Sequence, residues 1–389
     1  METADIVIIG GGVVGASIAY HLGRRGVGSG VALLGRDQVG SGSTARAVGG
    51  IRSQFSTELN IRMSLESVAF WRRFEDELGE AVDYREDGYL FLARTEEERA
   101  QFAANVELQN ALGVPSRLLS PEDAATVVPG MYTGDLAAAA YNATDGAAGP
   151  NEATMAFARA ARRAGVRILE GTEVTGIDVV EGRIAGVRTT GAAWSTRVVV
   201  NAAGPWAAPV GRLAGIDVPV RPFRREIFVS EPFAGLPERL PIVIDLHVGW
   251  YFRREGAGIL MAGHKDDDPS YDTHVDWGGL STVADLAVHR VPALEGASFG
   301  ARAWAGLYDV SPDDHAILGP VDGVDGLYLA CGFSGHGFQH SPATGRLVAE
   351  LVLDGQTTGI DIAPLGLDRF ARGAMLREPL TAHAGTIGG

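Results

Sequence analysis

Asp5-Ile6-Val7-Ile8-Ile9-Gly10-Gly11-Gly12-Val13-Val14-Gly15-Ala16-Ser17-Ile18-Ala19-Tyr20-His21-Leu22 is the stretch from which the rest of the chain is read. Its β-branched run is that of a buried parallel strand. Beyond the glycines, Ile18 and Leu22 begin a helical stripe. Gly10-x-Gly12-x-x-Gly15, set between a strand and a helix, is the dinucleotide fingerprint. Gly10 allows the tight turn, Gly12 lets the backbone approach a pyrophosphate, and Gly15 lets the helix sit close on the strand. A helix that opens at Val13 and Val14 offers unpaired N–H groups and a positive dipole end to phosphates.

Composition narrows the classes. A chain of 389 residues is long enough for two domains, and 46% hydrophobic with 21% charged residues is a globular balance. The net charge of −15 argues against nucleic acid or an anionic membrane surface as a partner. Cys331 is the only cysteine, so no intrachain disulfide forms, and Lys265 is the only lysine. No basic n-region precedes the first apolar run and no apolar span is long enough for a bilayer. The expectation is a cytoplasmic protein with no membrane span.

Outward from the fingerprint, the first helix closes near Arg24-Arg25-Gly26 and Val31–Leu34 is the second strand. The acidic residue that usually ends that strand and holds a ribose is replaced by Gly35, followed by Arg36 and Asp37. Arg36 is placed along the adenosine. Gly40–Arg52 is a loop of glycines and small hydroxyl residues, suited to phosphate or a flat ring at backbone distance. Residues 57–78 have a helical pattern, 84–92 read as strands with a turn at Asp87-Gly88, and 96–112 as a charged helix. Segments 226–231, 242–245, 249–254 and 258–262 read as an antiparallel set. Residues 151–164 and the segment from Gly337 to about Leu353 are helices, and 300–308 and 326–331 are strands. The residues after Arg372, rich in Ala, Gly and Thr, read as a disordered tail.

Four motifs occur in one order: the Gly10–Gly15 turn; Ser43-Thr44 with Gly49-Gly50-Ile51-Arg52; Asn201-Ala202-Ala203-Gly204-Pro205-Trp206; and Gly332-Phe333-Ser334-Gly335-His336-Gly337-Phe338. Over roughly Asp5 to Phe370 that order resembles the D-amino-acid oxidase (DAO) superfamily of FAD-dependent oxidoreductases, in the branch of sarcosine oxidase and its β-subunit-like relatives. The resemblance implies an α/β fold: a Rossmann-type FAD-binding domain interleaved with a mixed or antiparallel-sheet substrate domain. The expected boundaries are 1–85, 146–222 and 311–365 for FAD, 86–145 and 223–310 for substrate, and 373–389 as the tail. The implied activity is oxidation of a secondary amine or amino acid, sarcosine-, proline- or dimethylglycine-like. A hydride passes to flavin N5 and the resulting imine hydrolyses. Implied partners are that small amine, oxygen or another electron acceptor, and a companion subunit or a second copy of the chain. The stretch from Gly49 to Phe55 also resembles mitochondrial assembly-factor relatives, so a flavin-bearing, non-catalytic subunit is the alternative.

Residue by residue, the resemblance implies that Gly10, Gly12 and Gly15 face the pyrophosphate. Gly42, Ser43, Thr44 and Ala45, with Gly49 and Gly50, would line the phosphate and flavin path. Val174 would bond the adenine through its backbone, and Ala203, Gly204 and Trp206 would sit near the adenosine. Gly335, His336, Gly337, Phe338 and Gln339 would hold the N1–O2 side of the flavin. The cysteine that tethers FAD in monomeric sarcosine oxidases corresponds to Gly306 or its neighbour, and a tethering histidine of related enzymes corresponds to Ala45, so non-covalent FAD is expected. The oxygen-activating lysine of those oxidases falls near Leu260. The arginine that D-amino-acid and glycine oxidases place near Tyr308 has no counterpart at that point of the sequence. Arg52 matches the carboxylate-binding arginine of the sarcosine branch, whose companion lysine is Gln339 here. His264 matches a pocket histidine of that branch. Tyr251 and Tyr308 are placed in the pocket wall for their polar tips. Asp266-Asp267-Asp268 reads as a solvated acidic run, and no metal site is expected.

Overall fold

In the computed structural model, which describes residues 1–265 and 268–378 with the side chains of 264 and 265 excepted, two large sheets are set against one another across a cavity. The first has six strands in the order Ile317–Pro320, Leu327–Cys331, Val198–Asn201, Ile6–Ile9, Val31–Leu34, Arg167–Leu169. All neighbours are parallel except the pair at the Ile317–Pro320 edge. Alternation sends Ile6, Ile8, Val31 and Leu33 toward helices Val13–Arg24, Pro150–Arg163 and Gly337–Asp354. Val7, Ile9, Ala32 and Leu34 face the other way, into a core shared with a four-stranded sheet and helix Ala207–Leu213. Burial on both faces is why these strands read as unbroken apolar runs.

The second sheet has eight strands in the order Phe299–Val310, Arg221–Ser230, Gly258–Lys265, Trp250–Glu255, Ile242–Asp245, Tyr89–Ala93, Ala138–Asn142, Arg117–Leu119. One face carries Leu90, Leu92, Trp250, Phe252 and Met261 into a core under helix Gly279–Arg290. The other turns Tyr89, Phe91, Ile244, Tyr251 and Ile227 to the cavity. This sheet draws its strands from 89–142 and 221–310, and the six-stranded sheet from 6–34, 167–201 and 317–331.

Several local expectations change. Only Tyr89–Ala93 forms a strand within 84–92; the four segments between 226 and 262 pair antiparallel as expected, and the one parallel neighbour in this sheet is Ile242–Asp245 beside Tyr89–Ala93. The helical stretch over 57–78 divides into Glu58–Trp71 and Phe74–Leu78. The tail expected after Arg372 is packed as far as the structure describes it. Leu376 N donates to Asp313 Oδ2 at 3.1 Å, and Glu378 is buried. Among the described residues no helix is long and apolar enough to cross a membrane.

Candidate active site

The cavity between the two sheets has a volume of about 670 Å³, in the range of small-molecule sites. Its two ends are built from different material. At the first end strand Ile6–Ile9 stops at Gly10, whose φ of +123° is open to glycine alone; a Cβ there would lie 2.3 Å from Ala202 O. A Cβ on Gly15 would lie 2.1 Å from Gly10 O, so helix Val13–Arg24 rests directly on the turn. That helix has no side-chain cap and no acid in its first turn. Its dipole and its opening amides other than Val13 N therefore remain available to an anion in the cavity. Val13 N donates to Thr44 Oγ1 at 3.2 Å, which ties the loop after the second strand to the helix opening. Gly12, Val14, Gly42, Ser43 and Thr44 line this part. Ser43 Oγ is buried with no hydrogen-bond partner among the described residues.

Farther along, Val174, Ala203, Gly204 and Trp206 line the wall, and the Arg36 guanidinium lies 4.7 Å from the centre of the Trp206 ring. At Gly35, where the acid usually stands, both backbone groups are engaged within the protein: its N–H donates to Leu169 O at 2.9 Å and its carbonyl accepts from Thr172 N at 2.7 Å. Asp37, bonded to Arg36 at 3.0 Å, and Glu173 are the acids that line this end; Glu173 went unnoticed in sequence because it lies 138 residues beyond Gly35.

The second end starts at the loop after strand Leu327–Cys331. Gly332 and Gly335 have φ of +70° and +95°, and a Cβ on Gly335 would press into the Tyr308 ring at 2.5 Å. The Asp309 carboxylate holds this loop by accepting from Gly332 N at 2.8 Å and Phe333 N at 3.1 Å. Burial pushes its pKa up to about 6, against the pull of those amides. The loop opens helix Gly337–Asp354, again with no side-chain cap and no acid in the first turn. Gln339 Oε1 accepts from Arg52 N at 2.9 Å, while its Nε2 is buried at the cavity with no partner among the described residues.

Side chains from distant strands complete this end. Arg52 is 6% exposed, its guanidinium stacked 3.7 Å from the centre of the Phe55 ring. It donates from Nη1 to Gln54 O, and from Nη2 to His336 Nε2 at 3.1 Å. An arginine only donates, so His336 accepts there, and its proton is assigned to Nδ1. Burial lowers the Arg52 pKa, yet a guanidinium keeps its charge. Tyr308 and Tyr251 both line the cavity, and burial raises both phenols. Gly50 and Gly49 line the wall, and a Cβ on Gly50 would run into the Tyr89 hydroxyl. Gly306, Gly337 and Phe338 also line it.

Three sequence placements change. Ala45 is exposed and outside the cavity lining, because the turn Thr44–Arg46 points it to solvent. Gly15 lies behind the lining, where it serves close packing. An arginine does stand near Tyr308: Arg225, opposite Gly306 on the neighbouring strand, has its guanidinium 5.4 Å from the centre of the Tyr308 ring. No signal in the sequence pairs 225 with 308; strand register does. The backbone of His264 lies in strand Gly258–Lys265, but its side chain, like residues 266 and 267, lies outside the described residues. Among the described residues no group of His, Cys, Asp or Glu is arranged to hold a metal.

Residues 5–351 match the family described as FAD dependent oxidoreductase, DAO. The chain belongs to that family. Among solved structures it is similar to the L-proline dehydrogenase from P. horikoshii, with 37% identity and a TM-score of 0.90 over 97% of this chain and 100% of that one. It is also similar to the glycine oxidase from Geobacillus kaustophilus, with 29% identity and a TM-score of 0.84 over 95% and 99%. Among curated proteins it is 35% identical to FAD-dependent oxidoreductase domain-containing protein 1 of Xenopus laevis, over 95% of this chain and 83% of that protein. It is 29% identical to human mitochondrial sarcosine dehydrogenase, of whose length it spans 40%.

The protein is thus an FAD-dependent oxidoreductase, and the cavity fits that cofactor. One end offers uncapped helix amides and a glycine turn to the pyrophosphate; the other offers a second helix opening and the unpaired Gln339 Nε2 to a polar ring edge. Cys331 is buried in the core outside the lining, which leaves no thiol in the described lining for a tether.

Proposed function

We propose that this chain oxidises a small amino acid or N-alkyl amino acid at its C–N bond, with sarcosine-, proline- and dimethylglycine-like compounds as the substrate class. The observation that carries the reading is the buried Arg52 guanidinium in the cavity wall, between the His336 loop and the tyrosines. A guanidinium held by Phe55, Gln54 O and His336 is oriented in advance, and a carboxylate is the anion its planar fork matches. Two of the similar proteins, a proline dehydrogenase and a sarcosine dehydrogenase, are named for substrates of this kind.

In this reading the six-stranded sheet and its helices form the FAD domain, and the eight-stranded sheet forms the substrate domain. Gly10, Gly12, Val13 and Thr44 hold the pyrophosphate, Arg36 and Trp206 the adenosine, and His336 to Gln339 the polar edge of the flavin. Bound without a covalent link, FAD supplies the acceptor for a hydride from the carbon beside the amine. Arg52 fixes that carbon by holding the carboxylate. Tyr251, Tyr308 and Phe91 wall the space and keep water out. The opening amides of helix Gly337–Asp354 would favour negative charge at the polar edge of a ring held there. The amine reacts as the free base, and the imine product hydrolyses in water.

The test is anaerobic mixing of the holoenzyme with a panel of N-methyl amino acids, proline and primary amino acids while the flavin absorbance is followed. Bleaching by a secondary amino acid is expected. If no amine bleaches it, the non-catalytic, flavin-bearing subunit becomes the better account. Repeating the active amine in air and with a dye acceptor separates oxidase from dehydrogenase.

A further inference from the structure

We infer that residues 374–378 form a strap that positions Arg52, and that Glu378 is its fastening. The inference deepens the reading of Arg52 as the carboxylate anchor and rests on it. Glu378 is 6% exposed. Its Oε1 accepts from Ser56 N at 2.6 Å, and its Oε2 accepts from Thr57 Oγ1 and Asn60 Nδ2, each at 3.0 Å. Those donors surround the start of helix Glu58–Trp71, whose N-cap residue, Thr57, makes no cap bond of its own to the helix. An acid distant in sequence thus sits at the opening of this helix, tied to the residue before the N-cap and to the Thr57 and Asn60 side chains, where its charge suits the dipole.

The strap is held on its other side as well. Ala374 N donates to Arg369 O at 2.8 Å, and Leu376 N to Asp313 Oδ2 at 3.1 Å. Asp313 is locked to Arg369 by two bonds of 2.8 Å, both side chains being buried. The Leu376 side chain packs on the core beneath the helices. The carboxylate is thus presented from a fixed base.

What it fixes is the loop that carries Arg52. Outside anchors hold that loop along its length: Gln339 Oε1 accepts from Arg52 N at 2.9 Å, Asp145 accepts from Ser53 N at 2.8 Å and from Gln54 Nε2 at 3.2 Å, Tyr89 O accepts from Gln54 Nε2 at 3.2 Å, Gln109 Nε2 donates to Phe55 O at 2.8 Å, and Glu378 takes Ser56 and Thr57. Phe55 is the plate on which the guanidinium lies, and its ring also meets His336 at 5.0 Å. Releasing Ser56 and Thr57 frees the residues that follow this plate. Glu378 also acts on Arg52 through its charge, holding the Arg52 pKa up against burial. Its two influences oppose one another. Loss of its charge alone would leave Arg52 more attractive to a carboxylate, whereas loss of the anchor would weaken binding. Positioning predicts the second.

The experiment uses the full-length holoenzyme with Glu378→Ala, Glu378→Gln and Arg52→Ala, and the amine that bleaches the wild type fastest. In Glu378→Ala the half-saturating amine concentration should rise about tenfold while the limiting bleaching rate stays within about twofold. Glu378→Gln keeps an oxygen for Ser56 N but turns an NH₂ toward Thr57 and Asn60. It should fall between, and it carries the test if the alanine variant does not fold. Amide exchange over 53–57 should quicken in both variants. Unchanged exchange there, or a half-saturating concentration that is unchanged or lower, overturns the strap. If Arg52→Ala raises that concentration and the Glu378 variants do not, only the strap fails. If Arg52→Ala leaves it unchanged, the reading of Arg52 fails and takes the strap with it.

Discussion

In the proposed reading the two ends of the cavity do the same kind of work, gripping a charged group, with different materials. The pyrophosphate end is main chain: a glycine turn and a helix opening contributed by adjacent residues, Gly10 to Val14. The amine end is side chain: Arg52, Tyr89, Arg225, Tyr251 and Tyr308, brought together from separate elements by strand register. A main-chain site has few ways to vary, because a Cβ where none fits destroys it. A side-chain site changes its ligand by exchanging a single residue on a strand that stays put. The difference explains how one cofactor cradle can serve proteins named for proline, glycine and sarcosine.

The comparison is broken most severely at Gly10. Gly10→Ala puts a methyl group 2.3 Å from Ala202 O at a φ of +123°, so the purified protein should be colourless or insoluble. Gly42→Ala, in the same end, meets nothing nearer than Trp206 at 3.9 Å and should remain yellow. A yellow Gly10→Ala protein would remove the main-chain account. At the other end Arg52→Ala should leave the flavin spectrum intact but weaken amine binding by about 1.5–3 kcal/mol, the scale of a charged hydrogen bond, read as a rise in the half-saturating concentration. Tyr308→Phe removes one hydroxyl from the cavity wall and should cost about 1 kcal/mol in the same titration. Equal damage from Arg52→Ala and Gly10→Ala to cofactor retention would erase the distinction between the ends.

The smallest effect is a pH dependence behind the amine end. Burial pushes Asp145 from its ordinary value up to about 7, against its bonds to Ser53 and Gln54 and the Arg52 charge. A carboxyl whose pKa is raised by folding contributes stability that is whole below its unfolded value, near 3.8, and is lost as pH rises through about 7. The Tm advantage of the wild type over Asp145→Asn should therefore shrink between those limits. An advantage that grows with pH would show that the charged carboxylate is the favoured form in the fold.

How much of this was legible in the sequence follows the same division. Gly10, Gly12 and Gly15 announce the phosphate end because turn, approach and packing are all encoded within six residues. The helix opening at Gly337 is legible for the same reason, as a local loop-to-helix pattern. Arg225 escaped because nothing in one strand states which residue of its neighbour lies opposite; here Gly306 does, which brings the guanidinium beside Tyr308. Ala45 was misplaced because a motif gives spacing but not the direction in which a short turn aims each residue. Composition gave no sign of the contacts made in the described part of the tail, residues 373–378: Ala, Gly and Thr suggest disorder, whereas Leu376 packs on the core and Glu378 is bonded at Ser56.

The most direct test of the account is anaerobic bleaching of wild type and Arg52→Ala, compared at one subsaturating concentration of a secondary amino acid. The account predicts two yellow proteins, of which the wild type bleaches rapidly and the variant hardly at all. Equal bleaching of both would contradict it, as would a wild type that no amino acid bleaches.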